Sequence, residues 1–400
     1  MVKLEDICDV RDGTHDSPTY VMDGFPLVTS KNIIDGKIDF SNVNLISRED
    51  LDKINKRSLV DDGDIIMPMI GTIGNPIIVK KVREFAIKNV ALIKFYSDSK
   101  VNNIYLKYIL ASEQINKFFL SESKGVAQKY VSLGLLRGIE IPLPPLSIQQ
   151  QIVNEIEGYQ KIIDGAKQVV NNYKPTIAIK PEWEMVELGK TEIEIIDGDR
   201  GLNYPKKEEF SDNGYCLFLN TKNVRQKGFL FKELAFVSKE RDELLRKGKL
   251  KRNDIVLTTR GTIGNIAHYN EKVIFDNIRI NSGMLILRVN QNKITAEYLF
   301  ALLQSEYIRN QFIKITSGSA QPQLPIHALV STLIPCPPLN VQIEIVQRIE
   351  EEQTLVNSNK KLIELFEQKI KDKINEVWGV KEGSIYKIEQ ENLSMAAEPE

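Results

Sequence analysis

The sequence has little of the chemistry that cysteine and histidine provide. Its 400 residues include three cysteines and three histidines, all widely separated. Cys8, Cys216 and Cys336 have no neighbouring Cys or His at the spacing of a metal site, and three distant thiols do not make a disulfide framework. We therefore expect neither a zinc site nor structural disulfides, and we expect the thiols to be buried.

The sequence also lacks a long apolar run and an excess of charge. A membrane-spanning helix needs about 18 consecutive apolar residues, and no such run is present. The N-terminus, MVKLEDICDVRDG, is charged where a signal peptide would be apolar. These absences predict a cytoplasmic protein. The formal net charge of −1 argues against a chain covered by nucleic acid but allows a local basic face.

What the sequence does contain is an internal duplication. The pentapeptide GTIGN begins at residue 71 and again at residue 261. Around it, DGDIIMPMIGTIGN aligns with RNDIVLTTRGTIGN, and LVTSKN from residue 27 aligns with FLNTKN from residue 218. Farther on, KGVAQ aligns with SGSAQ, and IPLPPLSIQQQI aligns with IPCPPLNVQIEI. The chain is therefore two copies of one unit of roughly 190 residues.

Each copy predicts a mixed domain followed by a long helix. Short β-branched runs alternate with Gly and Asn turns and helix-period segments, and the prolines of IPLPPL end this pattern. We predict an α+β fold with two similar globular domains separated by two long antiparallel coiled-coil helices, forming a pseudo-twofold internal repeat. The predicted segments are a first domain at 1–145, a first spacer helix at 146–180, a second domain at 181–338, a second spacer helix at 339–378, and a tail at 379–400 whose composition is typical of disorder.

The two long helices carry a narrow apolar stripe with heptad spacing. In the first helix the apolar positions step by four and three residues, as in a helix that packs on one partner helix. In the second helix the polar residues Glu352 and Asn359 occupy positions equivalent to Tyr159 and Ala166. The predicted seam consists of Ile152, Ile156, Tyr159, Ile163 and Val170 in the first helix and Ile345, Ile349, Val356, Ile363 and Phe366 in the second.

The simpler alternative is that each helix packs only on its own domain. The narrow stripe favours pairing of the two helices, and the repeated order of domain and helix favours an antiparallel pair. A helix of about 26 residues would span roughly 39 Å, close to one turn of B-DNA. The helices would then act as a spacer between the two domains.

Motifs for catalysis are absent. GTIGN lacks the Lys-Ser/Thr of a phosphate-binding loop, and we interpret it as a turn whose glycines adopt positive φ. The tetrapeptide Asn75-Pro76-Ile77-Ile78 lacks the second proline and the aromatic residue of a methyltransferase motif. Pairs such as Asp61-Asp62 have no counterparts that would complete a metal site. We therefore predict a binding protein with no catalytic residue, metal ion or cofactor of its own.

The repeated motifs resemble those of the specificity subunits of type I restriction-modification enzymes. The motifs are KGVAQ and SGSAQ, I-P-x-P-P-L, the amide-rich helices, and the start of the second copy, Pro181-Glu182-Trp183 followed by VELG at 186. The resemblance covers residues 1 to about 377. Two departures are Lys124, where the family has serine, and the first copy's start at Met1, which leaves it without a counterpart of Trp183.

The resemblance implies a noncatalytic subunit with two target-recognition domains, each of which reads one half of a bipartite sequence in double-stranded DNA. It implies that the helices bind two modification (methyltransferase) subunits, which carry S-adenosylmethionine and methylate adenine. Restriction subunits, which use ATP and Mg, would join that complex. The alternatives are a duplicated protein-interaction scaffold with incidental DNA binding, or a recognition module of another restriction-modification class. An enzyme that modifies or cuts DNA by itself is disfavoured by the missing motifs.

Polar residues in the aligned blocks and in the loops after residues 13 and 198 are candidates for DNA binding. Asn and Gln suit adenine, Arg and Lys suit guanine, and all of these with Ser and Thr suit phosphate. The candidates are Thr14, His15, Ser30, Lys31, Asn32, Thr72, Asn75, Lys124, Gln128 and Lys129 in the first copy, and Arg200, Thr221, Lys222, Asn223, Arg225, Arg260, Thr262, Asn265, Ser317, Ser319 and Gln321 in the second.

Identity between the copies separates two kinds of candidate. Positions that match, such as Lys31 and Lys222, are expected to hold the shared fold or to position the DNA. Domains that read different sequences should differ where they read. By this criterion Arg260, which aligns with Ile70, and the loops GTHDSPTY and GDRGLNYP are the best candidates for base reading.

Overall fold

The computed structural model describes residues 1–70, 74–122, 130–226, 228–316 and 323–380. The chain divides into two compact units. The first comprises Met1–Gln168 and the chain from Lys360 on, and the second comprises Val169–Asn359. Each unit therefore contains one globular domain and parts of both long helices.

The first unit begins with short strands and ends its globular part at a long helix. Ser47, Asn102 and Ser132 cap three of its helices, since each side chain accepts a hydrogen bond from a backbone N–H of the first turn. The strands are β1 (Val2–Lys3), β2 (Cys8–Asp12), β3 (Phe25–Val28), β4 (Ile33–Ile34), β5 (Lys37–Ile38), β6 (Asn44–Ile46), β7 (Ile65–Pro68), β8 (Ile77–Ile78), β9 (Ala86–Ile87), β10 (Val90–Phe95) and β11 (Glu140–Ile141). The helices are α1 (Arg48–Ser58), α2 (Asn103–Leu110), α3 (Glu113–Glu122), α4 (Leu133–Arg137) and α5 (Leu146–Asn172).

Two small sheets organise this unit. One has the strand order β2-β10-β7-β8 and is antiparallel, and the other has the order β6-β3-β9, with β3 and β9 parallel. The alternate residues of β7 and β10 face two different cores, as the period of two in a strand requires. Ile65 and Ile93 belong to the core under α2 and α3, whereas Ile66 and Leu92 belong to the core beside β8.

The second unit repeats this series of elements. Its strands are β12 (Glu184–Glu187), β13 (Glu194–Asp197), β14 (Cys216–Leu219), β15 (Val224–Arg225), β16 (Gly228–Phe229), β17 (Phe236–Val237), β18 (Ile255–Thr258), β19 (Ile266–His268), β20 (Ile278–Ile280), β21 (Met284–Arg288) and β22 (Leu333–Cys336). Its helices are α6 (Lys239–Leu244), α7 (Ala296–Gln304), α8 (Glu306–Thr316), α9 (Ile326–Val330) and α10 (Leu339–Val377).

The sheets of the second unit have the same orders and directions as those of the first. They are β13-β21-β18-β19 and β17-β14-β20, and β14 pairs parallel with β20. The register also agrees, because Ile65 pairs with Ile78 in the first unit and the aligned Ile255 pairs with His268 in the second. The duplication seen in the sequence is thus a duplication of internal architecture, and the predicted mixture of helix and sheet is confirmed.

A buried glutamine fastens the start of each long helix to its own domain. The Gln149 amide donates to the carbonyl oxygens of Lys100 and Pro144, and its oxygen accepts from the Asn102 N–H. Gln342 makes the same three contacts with Lys293, Pro337 and Thr295. Both side chains are fully buried, so every polar atom of the two amides has a role in the fold. This explains the Gln three residues after each Pro-Pro-Leu motif.

The first turns of both helices pack on the adjacent domain. Val153 belongs to the core of the first unit, and the predicted seam residue Ile152 packs against it. The predicted seam residues Ile345 and Ile349 likewise pack in the core of the second unit. For these turns the simpler alternative, packing of each helix on its own domain, describes the contacts.

The end of α10 packs in the first unit. Val377 and Trp378 lie against the core formed by residues 4–153, and the Gln114 amide donates to Asn375 Oδ1 at 2.7 Å. Trp183 occupies the core of the second unit. The first copy has no tryptophan at its own start, but its domain receives one from the far end of the chain.

Candidate nucleic-acid interface

In the second domain, three separate loops meet around the turn at residues 281–283. A Cβ atom at Gly198 would lie 2.3 Å from the Asn281 carbonyl oxygen, so only glycine allows the loop after β13 to pass this close. Two residues later, Arg200 donates to the Ser282 carbonyl oxygen at 3.3 Å and forms an ion pair with Asp197 at 2.9 Å. The predicted reading loop is therefore held against the turn.

Thr221 and Arg260 lie on the other side of the same turn. Both side chains approach Gly283 closely. If Gly283 carried a Cβ atom, that atom would lie 2.9 Å from Thr221 Cγ2 and 3.8 Å from Arg260 Cβ. The Arg260 side chain is exposed. The structure thus brings together Arg200, Thr221 and Arg260, which are far apart in the sequence. We call these three residues the arginine face.

The second GTIGN motif forms the turn between β18 and β19 that we predicted. Gly261 and Gly264 have φ values of +70° and +81°, which β-carbon-bearing residues rarely adopt. The Thr262 side chain is exposed, and its carbonyl oxygen accepts from the Thr258 hydroxyl. In the first copy Gly74 has φ +86°, and Asn75 is exposed.

Three predicted asparagines have their side chains inside the fold. Asn223 is 1% exposed and donates to the carbonyl oxygens of Leu230 and Lys232. The Asn32 side-chain oxygen accepts from the Thr29 N–H and hydroxyl, and its amide donates to the Asn42 carbonyl oxygen. The Asn265 amide is also buried and donates to Val224 O. These amides hold loops in place. Asn32 and Asn223 do so at matching positions, as expected, whereas Asn75, the counterpart of Asn265, is exposed.

The neighbouring residues of these asparagines point outward. Lys31, Lys222 and Arg225 are exposed, and Ser30 and Thr221 are half-buried. Lys222 lies 3.8 Å from a Glu233 carboxylate oxygen in an exposed ion pair, which contributes little to stability. These side chains could contact a phosphate backbone.

In the first domain the loop after β2 meets the chain at residues 87–89. A Cβ atom at Gly13 would lie 2.3 Å from the Ile87 carbonyl oxygen, which matches the environment of Gly198. The Thr14 N–H donates to the same oxygen, and the Thr14 hydroxyl accepts from the Asp16 N–H. The reading loop of the first domain is thus held by the same backbone approach.

His15 is the centre of a small polar network in that loop. Its ring nitrogens lie 2.8 Å from Asn89 Oδ1 and 2.8 Å from Asp12 Oδ2. The hydrogen bond with Asn89 and then that with Asp12 raise the pKa of His15 above its ordinary value. Asp12 is buried and also pairs with the Arg57 guanidinium. The first domain therefore presents an imidazole where the second presents an arginine.

Several predicted residues lie outside the described part of the chain. They are Thr72, Lys124, Gln128, Lys129, Ser317, Ser319 and Gln321.

Two cations beside the arginine face, Arg246 and Lys247, were not predicted from the sequence. The Arg246 guanidinium comes within 3.2 Å of where a Cβ atom of Gly201 would lie, so it borders the loop that carries Arg200. The signal was present as a run of basic residues at 246–252. It was overlooked because these residues fall between the aligned blocks.

Segments of α5 and α10 contact each other within the first unit. The rings of Tyr159 and Phe366 lie 5.4 Å apart, and Lys373 lies 3.0 Å from a Glu155 carboxylate oxygen. Because the residue numbers fall along one helix as they rise along the other, the segments run antiparallel. Ile156 and Ile163 are fully buried, whereas Ile363 and Phe366 are half-buried.

In the second unit, the chain that follows α5 contacts the first half of α10. The Tyr173 hydroxyl donates to Glu352 Oε2 at 3.1 Å, and burial together with this carboxylate raises the pKa of Tyr173 to about 12. Val356 is buried and Val170 is half-buried. The polar seam residue Glu352 therefore has a defined partner.

Among the residues that the structure describes, no three His, Cys, Asp or Glu side chains are placed to hold a metal ion. Burial raises the pKa of the Cys8 and Cys216 thiols to about 12, so both are protonated and unreactive. None of the helices in the described part of the chain has both the length and the apolarity needed to span a bilayer.

Comparisons with known proteins agree with this geometry. The family model described as "Type I restriction modification DNA specificity domain" matches residues 1–172 and again 181–368. The chain is 26% identical over 358 residues to the type I restriction enzyme MjaVIII specificity subunit of Methanocaldococcus jannaschii, covering 80% of this chain and 79% of that protein. It is also 26% identical to the putative MjaX specificity subunit of that organism, covering 93% and 90%.

A solved structure shares the fold, and it is described as "Structural basis underlying complex assembly and conformational transition of the type I R-M system". The TM-score is 0.62 at 18% identity, over 94% of this chain and 96% of the other. Two family matches that together cover most of the chain, each on one copy of the repeat, decide its classification. The chain belongs to the family of type I restriction-modification specificity subunits, as a noncatalytic member with two target-recognition domains.

Proposed function

We propose that each of the two domains reads one half of a bipartite sequence in double-stranded DNA. The observation that carries this proposal is the arginine face. The loop after the first long strand of each domain is held by the same close backbone approach, but the second domain presents Arg200 there where the first presents His15, and Arg260 aligns with Ile70. A shared frame with different side chains at one place suits two unlike half-sites, because arginine prefers the guanine edge in the major groove.

The remaining candidates, which are exposed or half-buried, are proposed to hold the DNA backbone. Their side chains border the reading loops, and phosphate contacts fix the position of a protein on DNA without reading sequence. They are Thr14, Ser30, Lys31, Asn75, Thr221, Lys222, Arg225 and Thr262.

The long helices are proposed to form an antiparallel coiled coil that relates the two copies by a pseudo-twofold axis. Support comes from the contact of Tyr159 with Phe366 and from the buried Ile156 and Ile163. Fully burying one such isoleucine contributes about 1.5–3 kcal/mol. The 27 residues of α5 correspond to about 40 Å, which suits half-sites about one turn of B-DNA apart.

The partners proposed for this complex follow from the family. Two modification subunits would bind the helices and bring S-adenosylmethionine, and restriction subunits would bring ATP and Mg. We keep the domain limits 1–145 and 181–338, with spacers at 146–180 and 339–378 and a tail at 379–400, as part of this proposal. The cytoplasmic location also remains a prediction.

The function is tested by mapping methylated DNA. The chain would be expressed with its modification subunits in a host that lacks its own adenine methylation, and single-molecule sequencing would locate methylated adenines. We expect a split motif with two specified parts and an unspecified gap. An assembled and active complex that methylates no such motif contradicts the proposal.

The spacer is tested separately, with Ile156→Asp combined with Ile163→Asp. Two carboxylates in a buried seam should open the helix pair, since an unpaired buried charge is costly. We expect assembly with the modification subunits to be lost in size-exclusion chromatography. The control is Ile156→Val with Ile163→Val, which keeps the seam apolar and should keep assembly. Normal assembly of the aspartate variant refutes the spacer.

A further inference from the structure

A basic segment lies at the edge of the second domain, beside the loop that carries Arg200. Residues 246–252 read RKGKLKR, five cations without an acidic residue. Arg246, Lys247 and Lys251 are exposed. Within the described part of the chain, the Arg246 and Lys247 side chains have no hydrogen bond or ion pair. Such cations on an exposed loop can bind an anionic partner at little cost.

The backbone of this segment is held by buried groups on two sides. The Asp199 carboxylate accepts hydrogen bonds from the backbone N–H groups of Gly201, Arg246 and Lys247, at 2.9, 2.7 and 3.4 Å. Burial alone would raise the pKa of Asp199, but these donors lower it below its ordinary value. Asp199 therefore stays ionised and ties the basic segment to the reading loop.

The second attachment is Arg279, whose guanidinium donates to the backbone. It contacts the carbonyl oxygens of Lys247 at 2.7 Å and of Leu245 at 2.9 Å. Arg279 is itself buried and paired with Asp242 at 2.5 Å. Because the main chain is fixed from both sides, Arg246 and Lys247 are presented from a rigid loop, which limits the entropy lost on binding.

This segment continues the arginine face along the surface. Arg246 borders Gly201, Arg200 contacts Ser282, and Arg260 borders Gly283. The cations therefore follow one path along the loops at one end of the domain. A row of fixed cations beside a base-reading surface suits the phosphates that flank a half-site.

The first domain differs in the equivalent segment, which precedes Asp61 and Asp62 and contains Lys56 and Arg57. The Arg57 guanidinium pairs with buried Asp12, and the Arg57 carbonyl oxygen accepts from Arg11. Lys251 and Arg252 are replaced there by Asp61 and Asp62. The equivalent segment is thus partly neutralised and followed by acids, so it is poorly suited to phosphate.

We propose that Arg246 and Lys247 bind DNA phosphates beside the half-site read by the second domain, and that the first domain has no equivalent anchor. This inference rests on the proposed function. The two domains then bind DNA with unequal affinity, because the second domain adds contacts with DNA phosphates that do not depend on the base sequence. Asp199 is a positioning residue that acts through the backbone of the loop.

The test is the double variant Arg246→Ala with Lys247→Ala, in the complex reconstituted with its modification subunits. Binding to a duplex with the mapped target and to a scrambled duplex would be measured between about 50 and 200 mM salt. Each lost phosphate contact lowers the slope of log affinity against log salt by about 0.9, so we expect the slope to fall by about 1.8. Affinity should fall by a similar factor for both duplexes, and the methylated motif should not change.

The matched control removes two exposed cations elsewhere in the domain, with Lys190→Ala and Lys293→Ala. These residues form ion pairs with Glu187 and Glu192, away from the reading loops. The control should keep the salt slope of the parent protein. An unchanged slope in the Arg246/Lys247 variant overturns the inference, and so does a changed motif, which would mean base reading. If the parent complex binds neither duplex, the proposed function itself fails.

Discussion

The two domains have the same strand order but differ at one buried site, which holds an apolar pair in the first domain and an ion pair in the second. In the first domain, Leu51 and Ala86 meet in a small apolar core. At the aligned positions of the second domain, Asp242 and Arg279 form a buried ion pair at 2.5 Å, and Lys249 joins the same carboxylate. The frame therefore does not need a charged pair. In the second domain, the pair lets Arg279 fasten the basic loop through the carbonyl oxygens it contacts.

Two further positions distinguish the domains. Ile78 and His268 occupy the same register, but His268 is buried against Phe300, and among the residues that the structure describes its Nε2 atom has no hydrogen-bond partner. Arg260 takes the place of half-buried Ile70 on the exposed turn. The second domain thus carries polar groups at positions where the first is apolar. The two copies therefore share one frame and differ in the charged and polar side chains placed on it.

Arg279→Ala should produce the largest effect, a loss of unfolding free energy. The variant places alanine, the residue of the first domain, beside the unchanged Asp242 carboxylate. Removing one partner of a buried ion pair costs about 3–5 kcal/mol. Adding Asp242→Leu completes the Leu-Ala pair and should recover most of the loss. Denaturant unfolding can be followed by Trp183, which lies in the core of this domain, in a Trp378→Phe background. No loss of unfolding free energy for the single variant would show that the pair is not a structural element.

Arg260→Ile should have the next largest effect, on recognition alone. The exposed side chain leaves folding unchanged, but losing a base contact costs about 1–3 kcal/mol of discrimination. We expect the methylated motif to become degenerate in one half-site and to remain intact in the other. Lys190→Ala is the control and should leave both halves unchanged. A motif that keeps both halves after Arg260→Ile removes this residue from the interface.

His268→Ile should have the smallest effect and should be visible only in acid. Burial lowers the pKa of His268 below its ordinary value of 6.5, although Glu297 opposes the shift. The unfolded chain therefore binds a proton that the folded domain excludes, so stability is lost as pH falls below about 6.5, by at most about 1.4 kcal/mol per pH unit.

The isoleucine variant should remove this part of the pH dependence. The reciprocal change, Ile78→His, should introduce it in the first domain, where Trp378 reports unfolding in a Trp183→Phe background. Identical pH profiles for the parent protein and His268→Ile would contradict the explanation.

Local patterns predicted much of this fold, and long-range contacts account for what they missed. The heptad spacing predicted a helix close to the observed α5, and the glycines of GTIGN predicted the turn at Gly261 and Gly264. Matching positions predicted structural roles, which Asn223 fills. The packing of Trp378 in the first unit was missed, because no local pattern reports a contact between the two ends of a chain.

The candidate site was predictable in part. Divergence between the copies selected Arg260 and the loop with Arg200, and the structure brings both to the turn at 281–283. Comparison of the copies does not select Arg246, because it lies outside the aligned blocks, and residue patterns do not select Asp199, because its three donors are backbone groups. Backbone contacts leave no residue pattern, so these connections require coordinates.

The two domains are proposed to share one frame and to differ in their reading surfaces. A chain that carries the first domain twice tests this most directly. Residues 4–145 would replace residues 188–338, between positions that align in the two copies. We expect the complex to assemble and to methylate a split motif whose second half is the inverted repeat of the first. A motif that keeps two unlike halves would refute base reading by the two domains, because reading would then lie outside the exchanged domain.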